Sequence, residues 1–158
     1  MSRRTFDAMS GSYAENVTDT SGNEPQRLAA RRVMPRYFAV FAVKPVIGRT
    51  FLPDEEVEGG PTSAVISYAF WTRRFRQAPD AIGQRLIFAG KGFTIVGVMP
   101  KEFASPAIDL WMPAQLAPGP LRDMEARFLG GVGRMKPGVT IGQAQQDLAS
   151  VQHALDLQ

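Results

Sequence analysis

The stretch Leu86–Pro100, LIFAGKGFTIVGVMP, decides between two unrelated kinds of protein. Its centre, Gly90-Lys91-Gly92, reads as a phosphate-cradling loop or as a turn between two strands. A phosphate loop leads its glycines into a helix N-terminus, whose free N–H groups meet the anion. Here Phe93-Thr94-Ile95-Val96 follows instead, which is strand composition. No lysine-serine or lysine-threonine pair completes a nucleotide signature. Upstream, Leu86 and Phe88 alternate with Arg85 and Ile87. Two β-prone runs joined by a few glycine-containing residues predict a hairpin over 84–99, with no phosphate site.

Working outward, Ser63–Ile66 reads as a short apolar strand and Ser67 as the N-cap of a helix over Tyr68–Arg76. Trp71 and Phe75, four apart, belong on its buried face, with Arg73, Arg74 and Arg76 largely exposed. Pro79–Gly83 is a turn, and Leu110–Pro113 a strand ended by proline. Pro53–Thr62, PDEEVEGGPT, is an acidic, glycine-containing loop and the best boundary between two lobes. Further upstream, Phe6, Met9 and Tyr13 suggest a helix over Arg4–Ala14, Asn16–Pro25 is polar and turn-rich, and Gln26–Met34 reads as a strand. Pro35–Ala42 reads as a short amphipathic helix carrying Tyr37, Phe38 and Phe41, and Val43–Phe51 runs out through Pro45 and Gly48. Downstream, Ala117–Ala126 is a loop and Phe128–Lys136 a glycine-containing strand. Thr140 with Gln143 forms a capping box that opens a helix carrying Ile141, Ala144, Leu148, Val151 and Leu155 on one stripe. The fold class that results is α+β.

Composition narrows the function. The 158 residues suit one domain or two small lobes, and 44% apolar residues can bury a core. The net charge is +3, but Arg3-Arg4, Arg31-Arg32 and Arg73-Arg74-Phe75-Arg76 are scattered groups, which read as solvated face before nucleic-acid surface. Without cysteine there are no disulfides or thiolate metal sites. No run approaches the roughly 18 apolar residues of a membrane span. The opening MSRRTFDAMSGSY lacks the apolar core of a signal peptide.

Side-chain chemistry is sparse. His153, the only histidine, lies off the stripe of the last helix and reads as a surface residue. Asp54-Glu55-Glu56 with Glu58 lacks the ligand spacing of a calcium loop and reads as a solvated cluster. No G-x-S-x-G elbow occurs. Asn16-Val17-Thr18 matches a glycosylation acceptor, with meaning only in a eukaryotic secretory setting. Trp71 and Trp111 read as core. No catalytic, cofactor-binding or metal-ligating residue is assigned, which favours a binding or mechanical role and no enzyme activity.

Several phrases nevertheless stand in a recognisable order. Gly48-Arg49-Thr50-Phe51, the acidic loop, Val65-Ile66-Ser67-Tyr68 with Trp71 and Arg74-Phe75, Ile82-Gly83, Phe93 through Pro100, Leu110-Trp111-Met112-Pro113 and Lys136-Pro137-Gly138-Val139-Thr140 follow one another. Together they resemble the extracytoplasmic core domain of MacB/FtsX-type ABC transporter permeases, from about Phe6 to the C-terminus. The resemblance implies a periplasmic domain of a bacterial inner-membrane protein, inserted after the first membrane helix, so that these residues are a segment of a longer chain. It implies two lobes: a porter-like βα lobe over 1–50 and 114–158, and a smaller inserted lobe over 51–113. It also implies mechanotransmission between cytoplasmic ATP hydrolysis and the periplasm. The implied partners are an ATP-binding subunit or domain reached through the membrane part, a periplasmic adaptor and a second copy in a homodimer, with no nucleic acid and no cofactor. The alternative is a free-standing soluble module that binds an anionic ligand or nucleic acid through its arginines.

Overall fold

In a computed structural model, residues 6–103, 108–115, 130–135, 140 and 142–143 are described, with backbone alone at 6–9 and 130–135. Ten strands form one mixed sheet: β1 (Phe6–Ala14), β2 (Val17–Asp19), β3 (Gln26–Leu28), β4 (Ala30–Val33), β5 (Ile47–Gly48), β6 (Ser63–Ile66), β7 (Arg85–Phe88), β8 (Lys91–Val98), β9 (Leu110–Pro113) and β10 (Gly130–Met135). Among the described residues two short helices, α1 (Tyr37–Phe41) and α2 (Tyr68–Phe75), pack against it. The spatial order is β10-β1-β4-β9-β6-β8-β7-β2-β3, with β5 pairing β8. The parallel pairs are β4 with β9 and β6 with β8; the others are antiparallel. The fold class is α+β, as the sequence implied.

The opening stretch is the hairpin. Ile87 pairs with Gly92 and Phe88 with Lys91, so the turn is Ala89-Gly90 and Lys91 already belongs to a strand. Both turn residues have positive φ, 50° and 78°, the conformation of a two-residue hairpin loop, which glycine adopts without steric cost.

β6 and β9 are buried at every residue, as central strands covered on both faces are. Alternation then sorts their side chains. Ala64, Ile66, Leu110 and Met112 face the α2 side with Phe70, Trp71, Leu86 and Phe93. Val65 and Trp111 face the α1 side with Val33, Tyr37, Phe38, Val96 and Met99.

α2 begins where expected, with Ser67 Oγ accepting from Phe70 N at 3.1 Å. Its deepest residue is Phe70, fully buried, while Phe75 is only partly covered. Trp71 and Trp111 retain 8% and 2% of their surface. The helix expected from Pro35 is present as α1.

Three expectations fail. Residues 6–14 form β1, not a helix: the strand lies between β10 and β4 and pairs with both. Within the polar 16–25 stretch, Val17–Asp19 forms β2 and pairs with β3 and β7. The Gln26–Met34 strand is two strands, β3 and β4, that pair at distant places in the sheet. The Thr140–Gln143 capping box is made in both directions, Thr140 N to Gln143 Oε1 at 3.0 Å and Gln143 N to Thr140 Oγ1 at 3.2 Å. The remainder of that helix, the 117–126 loop and His153 lie outside the described residues.

Candidate functional site: polar clamps and an aromatic surface

The described residues gather no group of three or more histidine, cysteine, aspartate or glutamate side chains able to hold a metal. None of their helices is long and apolar enough to cross a membrane. They do contain polar clamps, each built around a carboxylate and an arginine.

Asp19 is 1% exposed at the end of β2. Its carboxylate accepts from Ser21 N at 3.0 Å, Ser21 Oγ at 2.9 Å, Ile87 N at 3.0 Å and Arg74 Nη2 at 2.9 Å. Arg74 also donates to Gln26 Oε1 at 2.7 Å and lies 5.9 Å from the Phe75 ring. One buried charge thus ties together β2, the following turn, β7 and α2. Burial opposes ionisation of Asp19, but the bonds from Ile87, Ser21 and Arg74 outweigh it and hold the carboxyl below its usual range. Neither Asp19 nor Arg74 was singled out from sequence as a contact. The available signal was Asp19-Thr20-Ser21, a carboxylate two residues before a hydroxyl, the pattern of an Asx turn.

Glu55 corrects the picture of a solvated acidic cluster, since it is 5% exposed. It accepts from Arg49 Nη1 at 2.6 Å, from Leu52 N at 2.8 Å and from Ser63 Oγ. Burial opposes its charge too, and the Arg49, Leu52 and Ser63 donors again prevail, lowering its pKa. The adjacent Glu56 behaves in the opposite way. Burial pushes its carboxyl up, the Arg36 N–H at 3.1 Å only partly offsets this, and the charge of Glu55 adds to the rise.

Asp109 and Glu15 complete the set. Asp109 Oδ2 accepts from Ala29 N at 2.9 Å and Oδ1 from Arg73 Nη2 at 3.1 Å. Glu15 accepts from Arg32 Nε at 2.9 Å, while Arg32 Nη1 reaches Pro113 O at 3.1 Å. Arg32, Arg49, Arg73 and Arg74 each meet a carboxylate of the same chain. Arg31 of the same basic pair donates to Ser12 Oγ at 3.0 and 3.1 Å. Five of the arginines that the anion-binding alternative would draw on are therefore engaged within the chain.

Around α1 the contacts are aromatic. Phe38 stands against Tyr37, Phe51, Phe103 and Trp111 with ring centroids 5.5–5.9 Å apart, and Phe41 edges onto Phe103 at 5.0 Å. Phe41, Val46, Leu52 and Val57 are the exposed large apolar side chains among the described residues, and all fall between residues 41 and 57. Arg36 and Ala42, which bracket α1, both have positive φ, at 67° and 53°.

The family described as MacB-like periplasmic core domain matches residues 3–151. No curated protein sequence matches the chain. Among solved structures, the periplasmic region of MacB from Actinobacillus actinomycetemcomitans superposes with a TM-score of 0.72 at 16% identity, over 97% of this chain and 69% of that one. The extracellular domain of the noncanonic ABC-type transporter YknZ from Gram-positive bacteria gives 0.64 at 14% identity, over 90% and 70%. A domain of a protein described as a permease, from Porphyromonas gingivalis, gives 0.70 at 18% identity, over 96% and 65%. At such identities these likenesses speak for the fold alone.

Proposed function

The chain belongs to the MacB-like periplasmic core domain family, and on that premise we propose that it is the non-catalytic extracytoplasmic domain of an ABC transporter permease. Its work is to couple ATP-driven motion of membrane helices to periplasmic partners or to cargo export. The observation that carries this reading is the pairing of Arg32, Arg49, Arg73 and Arg74 with carboxylates of the same chain. Polar groups that elsewhere would bind a ligand or perform chemistry here bond to other parts of the same chain, three of the four pairs across long sequence separations. A domain of this kind acts through what it touches and how it moves.

The partners follow from the family: an ATP-binding subunit or domain acting through the membrane part, an adaptor in the periplasm, and a second copy of the permease. The exposed apolar side chains Phe41, Val46, Leu52 and Val57 are the groups we assign to such contacts. We also propose the two lobes, 1–50 with 114–158 against 51–113. Strands of the two stretches pair at three places, β4 with β9, β2 with β7 and β5 with β8, and the parallel β4–β9 pairing is the seam chosen for the test.

The test is crosslinking in the intact transporter. The 158 residues contain no native cysteine, so a pair introduced across the β4–β9 seam meets no competing thiol among them. Oxidation is expected to abolish the transporter's cellular function while ATP hydrolysis persists. Unchanged cellular function in the locked state would overturn the mechanical reading.

A further inference from the structure

The 53–61 loop is gripped from outside by a residue that sits in an uncommon backbone conformation. Gln115 follows β9 by two residues and has a φ of 51°, a region that few non-glycine residues occupy. Its side-chain Nε2 lies 2.8 Å from Glu55 O, 3.1 Å from Pro61 O and 3.2 Å from Gly60 O. All three neighbours are carbonyl oxygens, so the amide must present its nitrogen to them, and its two hydrogens are shared among three acceptors. The loop they belong to is closed tightly on itself. A Cβ on Gly60 would stand 2.1 Å from Asp54 O, which only a residue without a side chain avoids. Within the loop, Glu55 N, Glu56 N and Gly60 N bond to Leu52 O, Pro53 O and Val57 O.

The loop's other attachments lead elsewhere. The Glu55 carboxylate holds Arg49 and Ser63 at the entry to β6, and Glu56 accepts the Arg36 N–H at the start of α1. Just past β9, Ala114 N still bonds to Val33 O at 2.8 Å, and Gln115 is the next residue. Three separate parts of the fold, α1, β6 and the exit of β9, therefore meet at one loop, and the third joins through a single side chain.

We infer that Gln115 is a latch: its amide locks the 53–61 loop to the chain leaving β9, and the lock opens when Gln115 leaves the left-handed conformation. A return to negative φ swings the side chain away from the loop and relieves backbone strain, so release and strain relief are one event. The bonds to three carbonyls hold the strained state in place. The latch belongs to the fold of this chain and operates whether or not the domain transmits motion.

Amide hydrogen exchange on the 158-residue chain tests this with two variants. Gln115→Glu keeps the shape of the side chain but points a carboxylate at three carbonyl oxygens. Gln115→Gly adopts positive φ without strain and removes only the side chain. In both, the amides of Glu55, Glu56 and Gly60 are expected to exchange about tenfold faster, on the order of what one or two lost hydrogen bonds produce. The amides of β6 and β8 serve as the internal reference and keep their rates. Loop rates within about twofold of the parent in either variant overturn the latch. So does an equal acceleration in β6 and β8, which would reveal general destabilisation.

Discussion

The two sides of the sheet are held by different kinds of contact. On the α2 side, a continuous apolar cluster runs from Leu28 through Phe70 and Trp71 to Leu110, with Asp19 and Arg74 set into its margin. The Asp19 carboxylate reaches Arg74 and Ile87, residues far from it in sequence. On the α1 side, aromatic rings pack edge to face, and some apolar side chains remain in solvent. The polar contacts there combine a local set, Glu55 with Arg49, Leu52 and Ser63, with longer reaches from Arg36 and Gln115. Positive φ at non-glycine residues occurs on both sides, at Arg36, Ala42 and Gln115 here and at Arg76 and Gln77 where α2 ends. A continuous apolar cluster shielded from water makes a frame; a side that leaves several of its apolar side chains in solvent makes a part that rearranges at lower cost.

The largest effects should come from breaking the frame. Trp71 lies on the buried face of α2 and its Nε1 donates to Ala78 O at 2.9 Å, so Trp71→Ala opens a cavity and leaves that carbonyl only its bond from Ala81 N. A loss of about 3–5 kcal/mol is expected by denaturant unfolding. A loss under about 1 kcal/mol would mean that α2 is not part of the frame.

Asp19→Ala comes next. It takes the charge partner from Arg74, which keeps its bonds to Gln26 and Ser21, and leaves the Ile87 N–H without its acceptor; an expected loss of about 3 kcal/mol sits at the low end for broken buried pairs, because Arg74 is a quarter exposed to water. The pH dependence follows from the lowered carboxyl pKa. Its stabilisation is complete above the unfolded aspartate value of about 3.9 and disappears as pH falls through the lower folded value. Unfolding curves between about pH 5 and about pH 2 should fall steeply in the parent and less steeply in the variant. Equal slopes would show that Asp19 is ordinary in the folded state.

How far the sequence revealed this arrangement varies by region. The hairpin, β6, β9 and the Ser67 cap were legible because their signals are local: alternation, a glycine turn, a hydroxyl before an apolar run. β1 was not. Phe6, Met9 and Tyr13 fit a helical period, yet Ser10, Gly11 and Ser12 between them are poor helix formers, and the segment becomes a strand by pairing with β10 and β4. Pairing partners distant in sequence leave no local mark. The same holds for the clamps. Arg73 and Arg74 looked like one exposed basic group, but they turn to different carboxylates, Asp109 and Asp19. The acidic loop hid its asymmetry because Asp54, Glu55 and Glu56 look alike as letters, and only the fold assigns them different surroundings.

That asymmetry supplies the smallest and most discriminating test. Glu55 and Glu56 are neighbours with opposite displacements: the donors around Glu55 lower its pKa, and burial raises that of Glu56. A lowered carboxyl stabilises the folded state when ionised, so Glu55→Gln should cost about 1–2 kcal/mol at neutral pH, the value of a charge-assisted bond in partial contact with water. A raised carboxyl has the reverse sign. Its contribution is fully present below the unfolded pKa and lost as pH rises through the folded one, so at neutral pH the ionised Glu56 is a burden. Glu56→Gln removes that burden and keeps an oxygen for the Arg36 N–H, and should stabilise the chain slightly, by up to about 0.5 kcal/mol. Two adjacent, chemically identical substitutions then move stability in opposite directions. If unfolding midpoints at neutral pH move the same way for both, the two carboxylates share one environment. The loop would then be an ordinary solvated segment, and the contrast between frame and rearranging part would lose its polar half.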